Sequence, residues 1–395
     1  MDFNDTPEQA KFRATCREWL EANAQLKADK VHMNVESSLE SHLKTAKEWQ
    51  QKKYDAGWAM LHWPKEFGGI EASPIERIIW GQEEAKFNVP GGIFEIGLGM
   101  CGPVMMQYST EEQKNRYLAP MAQGKEIWCQ LFSEPAAGSD VAGLRSKAEK
   151  DGDDWIINGQ KVWISRVLHS DLMILLARTT PLDQVSKKSL GISIFIVDIA
   201  EAMANGMAVN PIRNMVNHET SELFFDHLEI PAENLIGEEG YGFRYILDGL
   251  NAERTLIAAE CIGDGRWFLE KVVDYTKNRE VFGRPIGQNQ GVQFPIAEAK
   301  IELEAADLMR FRACELFDAG QACGSEANMA KYLAAKASWE AANACLQFHG
   351  GFGFATEYDV ERKFRETRLY QVAPISTNLI LSYVAEHMLD LPRSF

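Results

Sequence analysis

Glu253 and Arg254 stand side by side near the head of NAERTLIAAECIG, residues 251–263, where an Ala/Ile-rich run begins. Positions four apart share a helix face, so Glu253 falls in line with Ile257 and Cys261, both suited to an interior. A carboxylate in that company has either a charge partner or a chemical job. Burial shifts a carboxyl toward neutrality, and groups so perturbed gather at functional sites. The competing reading is a surface ion pair, with Arg254 bracing the helix against another carboxylate. A second stretch, Glu134-Pro135-Ala136-Ala137-Gly138-Ser139-Asp140, follows a β-prone segment. Its small residues would let backbone N–H groups and hydroxyls approach a phosphate or a flat ring, and taken alone it is equally an ordinary turn.

Other chemistry finds less support. Gly97-Leu98-Gly99-Met100-Cys101-Gly102 has the letters of a dinucleotide fingerprint, but it follows a short Gly-broken segment and runs into Pro103. The fingerprint needs a strand before it and a phosphate-capping helix after it, so a close-packed helix junction is the expected reading. The eight histidines include no HExxH and no paired metal spacing, His218-Glu219 lacking its second His, so no metal is expected. The serine-hydrolase signature GxSxG is absent. Met100, Met105 and Met106 read as core filling, with an adaptable acyl pocket as their functional alternative.

The elements that must position these groups fall into three blocks. From Thr6-Pro7, a cap and first helical position, Phe12, Cys16 and Leu20 recur every four residues, and an α domain extends over residues 1–124 with breaks at GWAMLHWPKEFGG and NVPGGIFEIGLGMCGP. Residues 125–233 read as about seven short strands of an antiparallel β domain, with turns at DGDD and at Asn158-Gly159. From 234 to 395 the helical period returns, with long helices near 241–277, 294–319, 327–347 and 376–391, as a four-helix bundle would need.

The 395 residues are 46% hydrophobic and 25% charged, ordinary for a globular chain, and a net charge of -16 disfavours nucleic acid and anionic lipid as partners. Seven cysteines without a CxxC pair suit a reducing cytoplasm, the N-terminus has no signal or transit pattern, and no apolar run is long enough to span a membrane.

In order along the chain, SEPAAGSD, NGQKVWIS, REVFGRPIGQNQGVQF and QFHGGFGFATEYDVERKFRE resemble the acyl-CoA dehydrogenase family, and the likeness covers nearly the whole chain. It implies an α/β/α fold and a non-covalent FAD. By position, Phe132, Ser133 and Ser139 would contact the flavin and its pyrophosphate side, with Ser139 also near substrate. Trp163 would pack on the ring system and Ser165 would bond its N5 edge. Arg279, Phe282, Gln290, Gln347, Gly350 and Gly351 would reach the adenine and pyrophosphate of a neighbouring subunit's FAD, while Ser376 and Asn378 would remain FAD contacts.

One departure matters. Many members carry the catalytic Glu in a Tyr-Glu-Gly-Thr-like stretch, where this chain reads Leu369-Tyr370-Gln371-Val372-Ala373-Pro374-Ile375-Ser376, with Pro374 at the place of the Glu. Proline takes no proton. In isovaleryl- and long-chain-type members the base is a Glu directly before an Arg on a long helix, and Asn251-Ala252-Glu253-Arg254 matches that pattern. The resemblance then implies that Glu253 abstracts the α-proton of an acyl-CoA, with Asn251 on the pantetheine arm and Arg254 close to the acyl-CoA site. It further implies a homotetramer or heterotetramer reoxidised by an electron-transfer flavoprotein. The rival readings are a flavin oxidase of nitroalkane-oxidase type, a silent subunit of a heteromeric dehydrogenase, and a DNA-binding relative. Arg166, where small residues are usual, either faces the flavin or pairs with an acid.

Overall fold

A computed structural model describes residues 5–27, 39–216 and 219–393. Two compact units divide the chain: Met1–Ala136, Ala142–Asn210 and Ser221–Ile246 make one, and Ala137–Val141, Pro211–Thr220 and Leu247–Phe395 the other.

In the first unit, helix α1 (Pro7–Asn23) starts where the cap signal places it. Thr6 Oγ1 accepts from Gln9 N, and the Gln9 side chain accepts in return from Thr6 N, so two donors that the helix would otherwise orphan are satisfied. Cys16 and Leu20 are buried against Trp49 of α2 (Leu39–Asp55) and Ile79 and Trp80 of α3 (Pro74–Glu84). α1 and α3 are also tied by charge: the fully buried Glu83 carboxylate takes Arg13 at 3.1 Å, Arg17 at 3.0 Å and Lys86 at 2.8 Å. The break expected around NVPGGIFEIGLGMCGP is in part helical. A π-helical turn, Gly97–Cys101, runs directly into α4 (Gly102–Tyr108), and α5 (Glu111–Ala122) follows. The glycines serve close approach, as anticipated for a helix junction: a Cβ on Gly102 would stand 2.4 Å from Cζ2 of buried Trp63. Met105 is fully buried, as core filling requires.

The sheet of this unit has eight strands: β1 Trp128–Leu131, β2 Lys147–Asp151, β3 Asp154–Ser165, β4 Leu172–Arg178, β5 Ile192–Asp198, β6 Met207–Pro211, β7 Thr220–Pro231 and β8 Leu235–Ile236. Their order is β8-β5-β4-β2-β3-β7-β6, with β1 paired to β4. Antiparallel pairing holds for β2 with β3, β4 with β5 and β5 with β8, whereas β1 and β2 each run parallel to β4, at Trp128↔Leu172 and Lys147↔Arg178. A short helix α6 (Ile199–Ala204) links β5 to β6. The turn at DGDD is present, the chain reversing between paired Asp151 and Asp154, but the turn expected at Asn158-Gly159 is not. β3 runs straight through it, because Gly159 lacks the Cβ that would sit 2.4 Å from Ser146 Oγ and Asn158 Oδ1 accepts from His227 N instead of closing a turn. The β core is a continuous apolar cluster that includes Trp155, Ile157, Leu175, Phe195, Leu223 and Leu228.

The second unit is helical: α7 (Gly242–Asn278, its first turn in the other unit), α8 (Gln290–Asp318), α9 (Gly324–His349), α10 (Val360–Thr367) and α11 (Thr377–Met388). α9 presents a buried alanine face, Ala327, Ala330, Ala334, Ala337 and Ala341. Small side chains let its neighbours close in, and apolar clusters join it to Ala258, Cys261 and Phe268 of α7 and to Leu303 and Ala306 of α8. Among the described residues no helix is long and apolar enough to cross a membrane.

Candidate active site

On α7, Glu253 is 6% exposed and, among the described residues, no hydrogen bond reaches its carboxylate. Burial pushes it up to about 7, against the pull of the Arg254 guanidinium, with the Glu260 charge adding to the rise. Arg254 is half-buried, with Tyr383 of α11 and Cys323 within electrostatic reach, and burial pulls it below its ordinary value. The side chain of Asn251 lies outside the described residues, as does His218. The sequence signal of a carboxylate on an apolar face is therefore a buried, protonatable carboxyl and not a surface ion pair.

A second group of the expected residues gathers in the first unit. Glu134 is buried at the end of the strand segment and accepts from Arg145 N at 2.6 Å, Ser146 N at 2.9 Å and the fully buried Lys161 Nζ at 2.9 Å. Burial pushes this carboxyl up, but the Lys161 charge and these bonds outweigh it and hold it below its usual range. Lys161 Nζ also donates to Phe132 O, and Val162 N donates to Ser133 O. The pair thereby sets Phe132 and Ser133 beside the stretch that carries Trp163 and Ser165. Trp163 holds a positive φ of 61° with its ring 63% exposed, a combination costly in strain and in exposed apolar surface unless a ligand uses it. Arg166, also at positive φ, pairs with Glu95 at 3.5 Å. Ser139 is exposed.

The second unit holds a cavity of about 480 Å³, and among its walls are Tyr275, Arg279, Phe348, His349, Gly350, Gly351 and Phe352. Three expected residues, Arg279, Gly350 and Gly351, meet here. The Arg279 guanidinium lies 5.5 Å from the Phe352 ring centre, and a Cβ on either glycine would meet no other atom within 4 Å, so their backbone is open to a ligand. Tyr275 stacks on His349 at 4.1 Å, and His349 Nδ1–H donates to Cys345 O, which fixes the ring at the cavity wall. Phe282, Gln290 and Gln347 are outside this wall. Phe282 is fully exposed at the tip of a two-residue hairpin, Phe282-Gly283, both residues at positive φ. Gln290 opens α8 and Gln347 lies in the last turn of α9, both exposed. Ser376 Oγ caps α11 by accepting from Leu379 N, and Asn378 is exposed one residue into that helix.

Sequence reasoning passed over Lys161, Lys331, Tyr275 and His349. The lysines sit in runs that read as solvated, and the ring pair is split between α7 and α9. Among the described residues no cluster of three or more His, Cys, Asp or Glu side chains is placed to hold a metal ion.

Comparison with known proteins agrees with the fold. Residues 6–125, 129–228 and 240–389 match the families described as acyl-CoA dehydrogenase N-terminal, middle and C-terminal domain. The acyl-CoA dehydrogenase FadE12 of Mycobacterium tuberculosis is 32% identical over 397 residues, covering 100% of this chain and 99% of its own. An acyl-CoA dehydrogenase structure from Geobacillus kaustophilus superposes with a TM-score of 0.83 at 27% identity, covering 99% of this chain and 100% of its own. A chain from the structural study of the electron transferring flavoprotein of Acidaminococcus fermentans gives 0.83 at 29% identity, over 98% and 100%. The chain belongs to the acyl-CoA dehydrogenase family and is an oxidoreductase whose cofactor is FAD. The exposed Trp163 ring and the Arg279, Gly350 and Gly351 cavity are of the chemistry that a flavin and a pyrophosphate require.

Proposed function

We propose that this protein oxidises an acyl-CoA thioester to its 2,3-enoyl-CoA, with Glu253 as the base for the α-proton. One observation carries the reading: a carboxyl buried on α7, without a hydrogen bond among the described residues and poised at about 7, stands beside an arginine in a chain that has Pro374 at the customary position of the base. FAD, when bound, supplies the acceptor for the β-hydride.

The residues divide the remaining work. Glu253, desolvated, takes the α-proton onto a carboxylate oxygen, and a bound acyl chain would dry its surroundings further. Arg254 is assigned to the acyl-CoA site, and its charge favours the ionised form of the base. Asn251 is assigned to the pantetheine arm. Trp163 covers the ring system against water and Ser165 directs its reactive edge, with Phe132, Ser133 and Ser139 along the flavin and pyrophosphate. Arg279, Gly350 and Gly351 hold the distal half of an FAD, with Phe282, Gln290, Gln347, Ser376 and Asn378 as further contacts. The exposed strain of Phe282 supports its role, because a bound group would cover it.

The domains are assigned as 1–124, 125–233 and 234–395, and the family matches at 6–125, 129–228 and 240–389 support three successive domains. Exposed Phe294, Ile301 and Leu308 follow at seven-residue spacing on α8, a seam of the kind that helices pair through, and it supports a homotetramer. The family link supports an electron-transfer flavoprotein as acceptor, and seven free cysteines support a cytoplasmic setting.

The test begins with the purified chain, its yellow FAD spectrum confirmed, titrated anaerobically with a panel of acyl-CoAs differing in length and branching. Bleaching by at least one thioester supports the proposal. Full FAD occupancy with no bleaching contradicts it, and rapid reoxidation of the bleached flavin by O₂ would move the protein to the oxidase reading.

A further inference from the structure

Lys331 is fully buried among the alanines of α9. Its ammonium donates to Tyr370 O at 2.6 Å and to Ile375 O at 2.7 Å. One turn along α9, Ala335 O accepts from Gln371 Nε2 at 2.8 Å. These bonds fasten to α9 the connector that leads from the end of the helical run at Gln371 to the cap of α11, the same connector that carries Pro374. A cation at the carboxyl end of a helical run also meets a favourable dipole. Burying an ammonium to tie a loop is nonetheless costly, and an apolar side chain in its place would pack without that cost.

Just before the connector, Tyr370 faces α7. Tyr370 packs against the cluster of Ala258, Cys261 and Ile262, and its hydroxyl donates to Glu260 Oε2 at 3.4 Å. Glu260 shares with Glu253 the face of α7 that recurs every seven residues. The seat of Tyr370 on that face is therefore set from behind by the bonds to Lys331.

We propose that Lys331 is a positioning residue for the reaction: by bridging Tyr370 O and Ile375 O it seats the Tyr370 side chain on α7 two turns from Glu253, and so steadies the stretch of helix that holds Glu253 in reactive orientation. The inference rests on Glu253 being the base. A displacement of about 1 Å at a reacting group can cost on the order of 100-fold in rate, so a loosened seat is read in the chemical step.

The full-length FAD enzyme decides the matter, with Lys331→Met, which keeps the stem and removes both bonds, and Gln371→Ala, which removes the companion tie. Hydrogen–deuterium exchange of the amides within residues 371–375 reads the clamp, and anaerobic stopped-flow with the thioester that bleaches wild type reads the chemistry. Lys331→Met is expected to keep its FAD, to exchange faster in the connector, and to show a limiting reduction rate lower by about 10- to 100-fold with thioester affinity within about twofold. Gln371→Ala is expected to shift both readouts in the same direction by less. Added ethylammonium is expected to restore part of the rate in Lys331→Ala. Unchanged exchange, or a wild-type reduction rate in the FAD-replete Lys331→Met enzyme, overturns the proposal. If Lys331→Met does not fold, a wild-type rate in Gln371→Ala overturns it. A wild type silent toward every thioester, or Glu253→Gln as fast as wild type, overturns instead the base assignment on which it stands.

Discussion

Glu253 and Glu260 lie on one face of α7, the first buried with no hydrogen bond among the described residues, the second exposed and accepting from the Tyr370 hydroxyl. Burial raises Glu253 to about 7 and the charge of Glu260 adds to that rise. A base works when deprotonated, so kcat/KM for the bleaching thioester should increase with pH through a midpoint near 7. Glu260→Gln should move the midpoint to lower pH, read from the same profile. A midpoint that stays put would remove Glu260 from the account.

The same burial has a stability cost. Because the folded pKa lies above the ordinary 4.5, the folded chain holds a proton that the unfolded chain releases between pH 4.5 and about 7, so stability falls across that window and the loss is complete above it. Glu253→Gln should therefore stabilise the FAD-bound enzyme by up to about 3 kcal/mol at pH 8 and by little below pH 4.5, measured as the unfolding midpoint at each pH.

Trp163 contributes little to the core, its ring being 63% exposed, and it occupies a left-handed backbone conformation. Trp163→Gly should leave the unfolding free energy of the FAD-free chain unchanged or raise it by about 1 kcal/mol, since glycine adopts that φ without penalty. FAD affinity should fall about tenfold, measured by flavin fluorescence titration, as loss of an aromatic face implies.

The charge clamp of α1 and α3 should fail in acid. Burial pushes Glu83 up, but the bonds from Arg17, Lys86 and Arg13 more than offset this and bring it to about 2. Its contribution is complete above the ordinary 4.5 and is lost as pH falls from there toward 2. Glu83→Gln should cost about 3 kcal/mol at pH 7 and much less near pH 2.5, followed by circular dichroism.

The helices and the buried carboxylate of Glu253 were legible because each has a local signature. Thr6-Pro7 with Gln9 three residues on marks the start of α1, and Ile257 with Cys261 marks the buried face of Glu253. Asn158-Gly159 misled because a glycine serves equally for a turn and for close approach, and only Ser146 across the strand distinguishes the two. Phe94 to Pro103 read as a break because its glycines hide a helix packed against Trp63 and Trp128. Lys331 was not legible at all. A lysine in an alanine-rich helix reads as solvated, and the carbonyls that hold it come from residues about forty positions away.

Glu253→Gln tests the central claim most directly. The glutamine is nearly isosteric and cannot accept the α-proton, so the variant should retain FAD at wild-type stoichiometry. With the thioester that bleaches wild type, its anaerobic flavin reduction should slow by at least about 1,000-fold. Bleaching of the FAD-replete variant at the wild-type rate would contradict Glu253 as the base.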